Sequence, residues 1–326
     1  MSYFVEEFKV GASVYKYTKG PTVTRYEVIL ESGVNVKKIT NLSDKLRVDA
    51  KATYFTQEVT NRASTIGAQG LLGYVYQMPR NIITNDLRNY QIDNPSTPSE
   101  YSVITHSDGL VGNPYWMTLN DENSVRRNRF LGFVKLNYKF TDWLSAFVRV
   151  GADITNLRDK RILKPGRHFE PTGFMRVAEN SFGELNSEFL LTANRDLSDK
   201  LNLVANLGGN LSKRSSEGMV VSGRNFKVPT RFFISNINEV AAPLEFPQAI
   251  KKVNSLYGSV NLSYDNFLYL DVSARNDWSS TLSEDNRSYI YNSVSLSALL
   301  GRYIDPNKEL FDLFKVRASV AQVGND

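Results

Sequence analysis

The sequence has no cysteine and only two histidines among its 326 residues. The missing cysteine excludes both a disulfide framework and a thiolate metal site. No stretch approaches the roughly 18 to 20 consecutive apolar residues that a membrane-spanning helix needs. A helical membrane protein is therefore excluded. A transmembrane β-barrel remains compatible with this composition, because the strands of such a barrel are apolar on one face only.

The sequence also has little net charge and no catalytic signature. Its formal charge is +5, and its basic residues are interspersed with Asp and Glu, so we expect no nucleic-acid partner. His106 and His168 lie in separate predicted loops, without the carboxylate spacing of a metal triad. No Gly-x-Ser-x-Gly elbow, phosphate-binding loop or His-Glu-x-x-His run occurs. We therefore expect no enzymatic activity, no metal and no cofactor.

Apolar and polar residues alternate with a period of two in most of the chain. Between Phe130 and Phe140 every second residue is apolar or glycine, and the intervening positions include Lys135 and Lys139. This pattern is typical of a strand with one apolar and one mostly polar face. We predict about eleven such strands, near residues 5–17, 22–39, 45–60, 130–140, 144–153, 182–195, 201–211, 256–264, 268–275, 289–300 and 313–322.

The connections between these strands are alternately short and long. The long ones, at 61–125, 159–180 and 215–252, are rich in Gly, Pro, Asn, Arg and isolated aromatic residues. Short turns at one end and long loops at the other are typical of an outer-membrane barrel, with the turns in the periplasm. Aromatic residues such as Trp143 flank the short turns, as in an interfacial girdle. The predicted fold is all-β, an antiparallel transmembrane β-barrel segment.

Several runs of residues resemble the SusC/RagA family of TonB-dependent outer-membrane transporters of Bacteroidota. They keep the family's order and spacing over roughly residues 22 to 326. The runs are Asn113-Pro114-Tyr115-Trp116, Arg127 to Gly132, Tyr138 to Leu144, Ala274 to Ser280, Ser293 to Ser297, and Lys315 to Asp326.

The resemblance implies that residues 1–326 form part of a plugged barrel of about 22 strands in the cell outer membrane. The stretch from Met1 to Phe8 lacks the features of a secretory signal. The resemblance further implies that the family's plug and remaining strands are absent from these residues. The implied partners are a SusD-like surface lipoprotein, the TonB–ExbB–ExbD complex acting through the plug, and lipopolysaccharide. The implied cargo is an oligosaccharide or a peptide. Two alternatives stay open: a siderophore or cobalamin receptor, and a soluble all-β carbohydrate-binding protein.

Two sets of side chains are candidates for the transport path. Aromatic residues in the long loops offer flat faces for cargo, although packing within the loops is an alternative role for them. These are Tyr115, Trp116, Phe226, Phe232 and Phe233. Charged residues on the predicted polar face would line the lumen and pair with each other or with a plug. These are Arg149, Asp153, Asp271, Arg275 and Asp277.

Two basic clusters are predicted near the outer rim. The first is the run from Arg126 to Arg129, and the second contains Lys160, Arg161, Lys164 and Arg167. They could meet lipopolysaccharide phosphates or the lid protein, or they could be solvated strand ends.

Overall fold

The computed structural model describes residues 3–18, 24–61, 76, 78, 82–92, 99–100, 113–167, 170–304 and 313–323. Fourteen strands lie in these ranges. They are β1 (Tyr3–Thr18), β2 (Thr24–Asn41), β3 (Leu46–Thr60), β4 (Gln91–Ile92), β5 (Ser99–Glu100), β6 (Glu122–Lys139), β7 (Leu144–Leu163), β8 (Phe174–Ser198), β9 (Leu201–Phe226), β10 (Ile237–Val240), β11 (Leu244–Tyr264), β12 (Leu268–Ser279), β13 (Ser288–Leu299) and β14 (Lys315–Ala321).

The helices in the described residues are short. They are α1 (Thr84–Leu87), α2 (Pro114–Asn120) and α3 (Gly301–Ile304), together with single 3-10 turns at Ile234–Asn236 and Glu284–Asn286. No helix in the described residues has the length and apolar character that crossing a membrane requires.

One antiparallel sheet contains nearly all of the strands. Its path runs β1-β2-β3-β6-β7-β8-β9-β11-β12-β13-β14, and β10 pairs with β9 beside this path. Each long strand therefore pairs with the next long strand in the chain. The eleven strands of the path confirm the predicted strand number and the predicted antiparallel barrel segment.

Residues with left-handed or capping geometry form the tight turns. Asp265 and Asn266 have φ values of 49° and 51°, the conformation of a type I′ hairpin turn between β11 and β12. In the turn between β6 and β7, the Leu144 N–H donates to Thr141 Oγ1 at 3.0 Å. Ser43 Oγ accepts from the Leu46 N–H at 3.1 Å in the turn before β3. The predicted short turns are thus confirmed.

The strands at the other end of the sheet are longer than their sequence pattern predicts. Strand β7 continues to Leu163 and strand β8 already begins at Phe174, so the predicted loop at 159–180 is mostly strand. Strand β9 likewise continues to Phe226. In these extensions both faces of the strands carry polar residues, so apolar and polar residues no longer alternate in the sequence. The backbone hydrogen bonds between the strands do not depend on that alternation. The predicted bounds of these two loops are wrong for this reason.

One face of the sheet forms a continuous apolar surface. The register places Val148 beside Leu136 on one side and Phe189 on the other, and all three side chains are roughly half exposed, at 51%, 46% and 45%. On β12, Val272 on the same face is 40% exposed. No second sheet or helix covers this face within the described part of the chain. An apolar surface of this extent is stable only against another apolar phase, and lipid supplies one.

The opposite face carries a network of polar side chains that crosses the strands. Thr192 Oγ1 on β8 donates to Asn206 Oδ1 on β9 at 2.8 Å. The Nδ2 atom of Asn206 donates to Ser259 Oγ on β11 at 3.2 Å. The hydroxyls of Ser273 and Ser293 lie 2.7 Å apart across β12 and β13. This face therefore satisfies many of its own hydrogen-bonding groups.

Two neighbouring glycines on β9 give space to one aromatic ring on each face of the sheet. A Cβ atom at Gly208 would lie 2.5 Å from the Tyr257 ring on the polar face. A Cβ atom at Gly209 would lie 2.5 Å from the Phe189 ring on the apolar face. Both distances are too short for a real contact, so these rings lie across β9 only because the strand has no side chain there.

We predict that Gly208→Ala destabilises the intact protein by about 1–3 kcal/mol, because the methyl group would displace the Tyr257 ring. The measurement is the temperature at which the folded, fast-migrating form is lost on gels. Gly258→Ala is the matched control, since a Cβ there meets only the Asn206 carbonyl oxygen at 3.4 Å. Equal transition temperatures for the two variants would contradict the steric role of Gly208.

Candidate functional site

A chain of charged and hydrogen-bonded side chains crosses the polar face from β7 to β11. Arg149 Nη2 lies 2.5 Å from Glu188 Oε2 on the neighbouring strand. Tyr257 Oη donates to the other carboxylate oxygen, Oε1, at 2.9 Å. The Tyr257 side chain passes over Gly208 to make this contact. One carboxylate thus links three strands, and we call Arg149, Glu188 and Tyr257, with Arg275 and Asp277 beyond them, the lumen belt.

The second half of the lumen belt lies on β12. Arg275 Nε donates to Asp277 Oδ1 at 2.7 Å, and Arg275 Nη2 donates to Ser255 Oγ at 2.9 Å. The guanidinium carbon of Arg275 lies 5.9 Å from the centre of the Tyr257 ring, within the range of a cation–π contact. Asp277 and Ser255 are buried. Charges of both signs are therefore matched inside the belt.

An open groove of about 440 Å³ lies beside the belt, toward the long loops. Asp153 and Glu184 bring negative charge to it, Arg214 and Lys251 bring positive charge, and Phe182 offers an aromatic face. Arg214 Nε lies 3.1 Å from Glu184 Oε2, and Asp153 forms a bidentate ion pair with Arg129. A groove of this kind can bind a polar ligand that carries both donors and acceptors.

The five predicted lumen charges all lie on the polar face, and their partners differ from case to case. Arg275 and Asp277 pair with each other. Asp271 accepts a hydrogen bond from Asn261. Arg149 and Asp153 pair with Glu188 and Arg129 (β6), which the sequence analysis did not single out for this face. The alternation of side chains between the two faces could have identified both partners, Glu188 and Arg129, from the sequence. Contact with a plug stays a prediction.

Two of the predicted cargo aromatics pack inside the outer loops. Asn113 caps α2, because its Oδ1 accepts from the Tyr115 N–H at 2.9 Å and its Nδ2 donates to the Leu87 carbonyl at 3.0 Å. Trp116 is 1% exposed, and Tyr115 packs against the small core of Leu87 and Met117. Trp116 is therefore not exposed for contact with cargo, and the other role considered for it, packing within the loops, is the one observed.

The other three aromatics lie at the outer end of β9. Phe226 is 6% exposed and packs with Ile162 and Met175, so it too is buried and not exposed in a loop. Phe232 meets Phe226 edge to face, with ring centroids 5.3 Å apart. Phe233 is 49% exposed. Of the aromatics on β9 and the segment after it, Phe233 offers the largest free surface, and its contact with cargo stays a prediction.

The basic clusters of the outer rim are largely paired with carboxylates. Arg126 Nη2 lies 2.8 Å from Glu58 Oε2. Lys164 Nζ lies 2.7 Å from Glu122 Oε1, and the buried Arg167 lies 3.0 Å from Asp121. The last two pairs join the β7–β8 loop to the entry of β6.

The two histidines lie outside the described residues. Within those residues, no group of three or more His, Asp or Glu side chains is arranged to hold a metal ion.

This chain is similar to solved structures of the RagAB transporter. The RagAB peptide importer in its closed-closed state aligns with a TM-score of 0.75 and 17% identity, covering 100% of this chain and 35% of that chain. A second structure, described as the RagAB peptide transporter, gives a TM-score of 0.73 over 98% of this chain. The chain is a partial SusC/RagA-like barrel. At 17% identity the similarity to RagAB establishes the fold alone, and it confirms the predicted barrel segment.

A curated relative supports the same assignment over most of the sequence. The TonB-dependent receptor P26 of Formosa agariphila is 24% identical over 301 residues. The match covers 87% of this chain and 28% of that receptor. This chain therefore spans less than a third of the receptor that it resembles.

The amino-terminal part of the chain has a different similarity, which the sequence analysis did not anticipate. Residues 1–68 match the family model of the FtsK alpha domain. The DNA translocase SftA of Bacillus subtilis is 50% identical over 48 residues, which are 15% of this chain and 5% of SftA. The DNA translocase FtsK of Mycobacterium leprae is 58% identical over 40 residues, which are 12% of this chain. The match includes β1, β2 and β3 of the sheet.

We predict that Glu188→Gln destabilises the intact protein by about 1.5–3 kcal/mol, because it removes a charged partner that is 19% exposed. Glu184→Gln is the matched control. It removes a carboxylate from a more exposed pair, in which the two side chains are 64% and 38% exposed, and it should cost less than about 1 kcal/mol. Thermal loss of the folded gel form measures both variants. Equal losses would show that the lumen belt adds no stability beyond that of a surface pair.

Proposed function

We propose that the chain forms part of the wall of a TonB-dependent importer in the cell outer membrane. The single observation that supports this most strongly is the two-faced sheet, whose apolar residues are exposed on one side and whose polar network lies on the other. Such a sheet separates lipid from water when it closes into a barrel. The barrel fold shared with RagAB agrees with this role, and so does the similarity to a TonB-dependent receptor. We propose no catalytic activity for it.

We further propose that the cargo is an oligosaccharide or a peptide, captured with a SusD-like surface lipoprotein. The groove beside the lumen belt supports a polar cargo, because Glu184 and Arg214 present both charge signs and Phe182 adds a flat apolar face. Sugar rings and peptide side chains both bind to such mixed surfaces. The two solved neighbours named above are described as a peptide importer and a peptide transporter. TonB coupling would act through a plug domain.

The test uses the intact protein in its native host. We expect it to fractionate with the outer membrane, to need detergent for extraction and to migrate faster on gels before heating than after. Loss of the gene, or of TonB, should abolish growth on an oligosaccharide or peptide supplied as the sole carbon source, and restoring the gene should recover growth. A protein that stays monomeric in buffer without detergent would contradict the proposal.

The similarity to the FtsK alpha domain supports a second proposal, limited to the start of the chain. We propose that the β1–β2 hairpin has a separate origin and that the barrel wall proper begins at Leu46. The family match also includes β3, but the pairing of β3 with β6 assigns that strand to the wall. Strand β3 pairs with β6 over its whole length, and Thr56 Oγ1 donates to Asn128 Oδ1 at 2.7 Å across that pair. Strand β1 pairs only with β2 in the described sheet, so this hairpin lies at an edge.

Deleting residues 1–41 from the intact protein tests this boundary. We expect the truncated protein still to reach the outer membrane and to keep its heat-modifiable migration, because no pairing between β3 and the later strands is lost. Deleting the internal β8–β9 hairpin, residues 174–226, is the control and should abolish folding. If both deletions abolish folding, the first hairpin belongs to the wall.

A further inference from the structure

We infer that the outer face of the β9–β11 pair binds the phosphorylated headgroup of an outer-leaflet lipid. The site is built on Lys213 and Lys252, which lie directly opposite each other in the antiparallel register. Both residues are exposed. The inference rests on the proposed outer-membrane location of the chain and concerns its lipid contacts, not its cargo.

The register places both lysines on the apolar, outward face. Lys213 follows Leu211 in the same row of β9, and its partner on β8 is Leu185. These two leucines are 59% and 49% exposed. Lys252 belongs to the row that continues through Asn254 to Leu256 on β11, and Leu256 is 48% exposed. The two ammonium groups therefore lie at the end of an apolar surface that lipid acyl chains can cover.

The height of the lysines matches the edge of the membrane. Lys213 is twelve residues beyond Leu201, where β9 leaves its short turn. A rise of roughly 3.3 Å per residue and a tilt of about 40° place it about 30 Å from that end. The apolar band of such barrels is about 25 Å tall, so the lysines lie just past it, on the extracellular side. Trp278 faces the same way beside Asn254, as an interfacial aromatic does.

A second pair of like charges lies on the same face, and both of its members have the carboxylate partners that the two lysines lack. Arg126 lies opposite Arg158 across β6 and β7. Each has its own carboxylate, at 2.8 Å for Arg126 and Glu58 and at 3.2 Å for Arg158 and Glu179. By contrast, neither Lys213 nor Lys252 forms an ion pair with any carboxylate that the structure describes.

Like charges directly opposite each other destabilise a strand pair, and one anion between them removes the repulsion. A phosphate group is such an anion, with several acceptor oxygens for two ammonium groups. The exposed leucines below the lysines favour a phosphate that carries acyl chains over a free phosphate ion. The geometry therefore favours a lipid headgroup as the source of the phosphate.

The test measures retention of bis-phosphorylated lipid A by the purified intact protein in detergent, by native mass spectrometry. We expect Lys213→Gln combined with Lys252→Gln to reduce retention at least about fivefold, since each lysine near an anionic surface contributes roughly that factor. Lys251→Gln is the matched control. It removes the same charge from the neighbouring position, which lines the groove on the opposite face, and retention should not change.

Three results would overturn the inference. One is equal retention of lipid A by the double variant and the wild type. Another is equal retention of dephosphorylated lipid A, which would make the contact purely apolar. The third is full displacement of the lipid by inorganic phosphate, which would identify the site as one for a free ion. Fractionation of the same variants separates this inference from the proposed function. Protein that reaches the outer membrane without selective lipid retention contradicts the lipid site alone.

Discussion

The structure depends on one constraint, that a backbone in hydrocarbon must satisfy its own hydrogen bonds. Between its two edge strands, β1 and β14, the chain meets it with a single antiparallel sheet in which each long strand pairs with the next one along the chain. Tight turns such as Asp265-Asn266 keep neighbouring strands in register at one end. Because the side-chain period of a strand is two, this register then assigns every residue of the wall to one of two faces. The remaining properties of the wall follow from that assignment.

Charged residues are distributed differently on the two faces of the sheet. On the outward face of β6 to β9 charges lie beyond the apolar rows, where Arg126 and Arg158 each meet a carboxylate. On the polar face charges occur at every height, and they are neutralised across strands, as in the contact between Arg149 and Glu188. Aromatic rings follow the same division. Tyr257 and Phe189 cross β9 on opposite faces, and two successive glycines make room for both.

The wall could be predicted from the sequence because its signal is local. Alternation between Phe130 and Phe140, together with the short turn Thr141-Asp142-Trp143, specifies a hairpin without any knowledge of the rest of the chain. The outer loops could not be predicted in this way. Trp116 is buried on α2, whose cap Asn113 bonds to the Leu87 carbonyl 26 residues away in the sequence. Phe226 lies on a strand extension whose two faces both carry polar residues. The similarity of residues 1–68 to the FtsK alpha domain could not be predicted from alternation, because strands of many β folds share a period of two.

In the importer proposed above, the pairing of the lumen belt has a consequence for transport. Glu188 accepts from Tyr257 and faces Arg149, and Arg275 contacts Asp277, so the wall has already matched these charges before anything enters. A passing solute then meets oriented dipoles and partly shared hydrogen bonds, and each contact with the wall is weak. Weak, repeated contacts allow entry and release, whereas an unpaired charge in the lumen would hold an oppositely charged solute in place. In the proposed importer a wall of this kind suits passage, and selection of the cargo would then fall to the outer loops and to any partner that covers them.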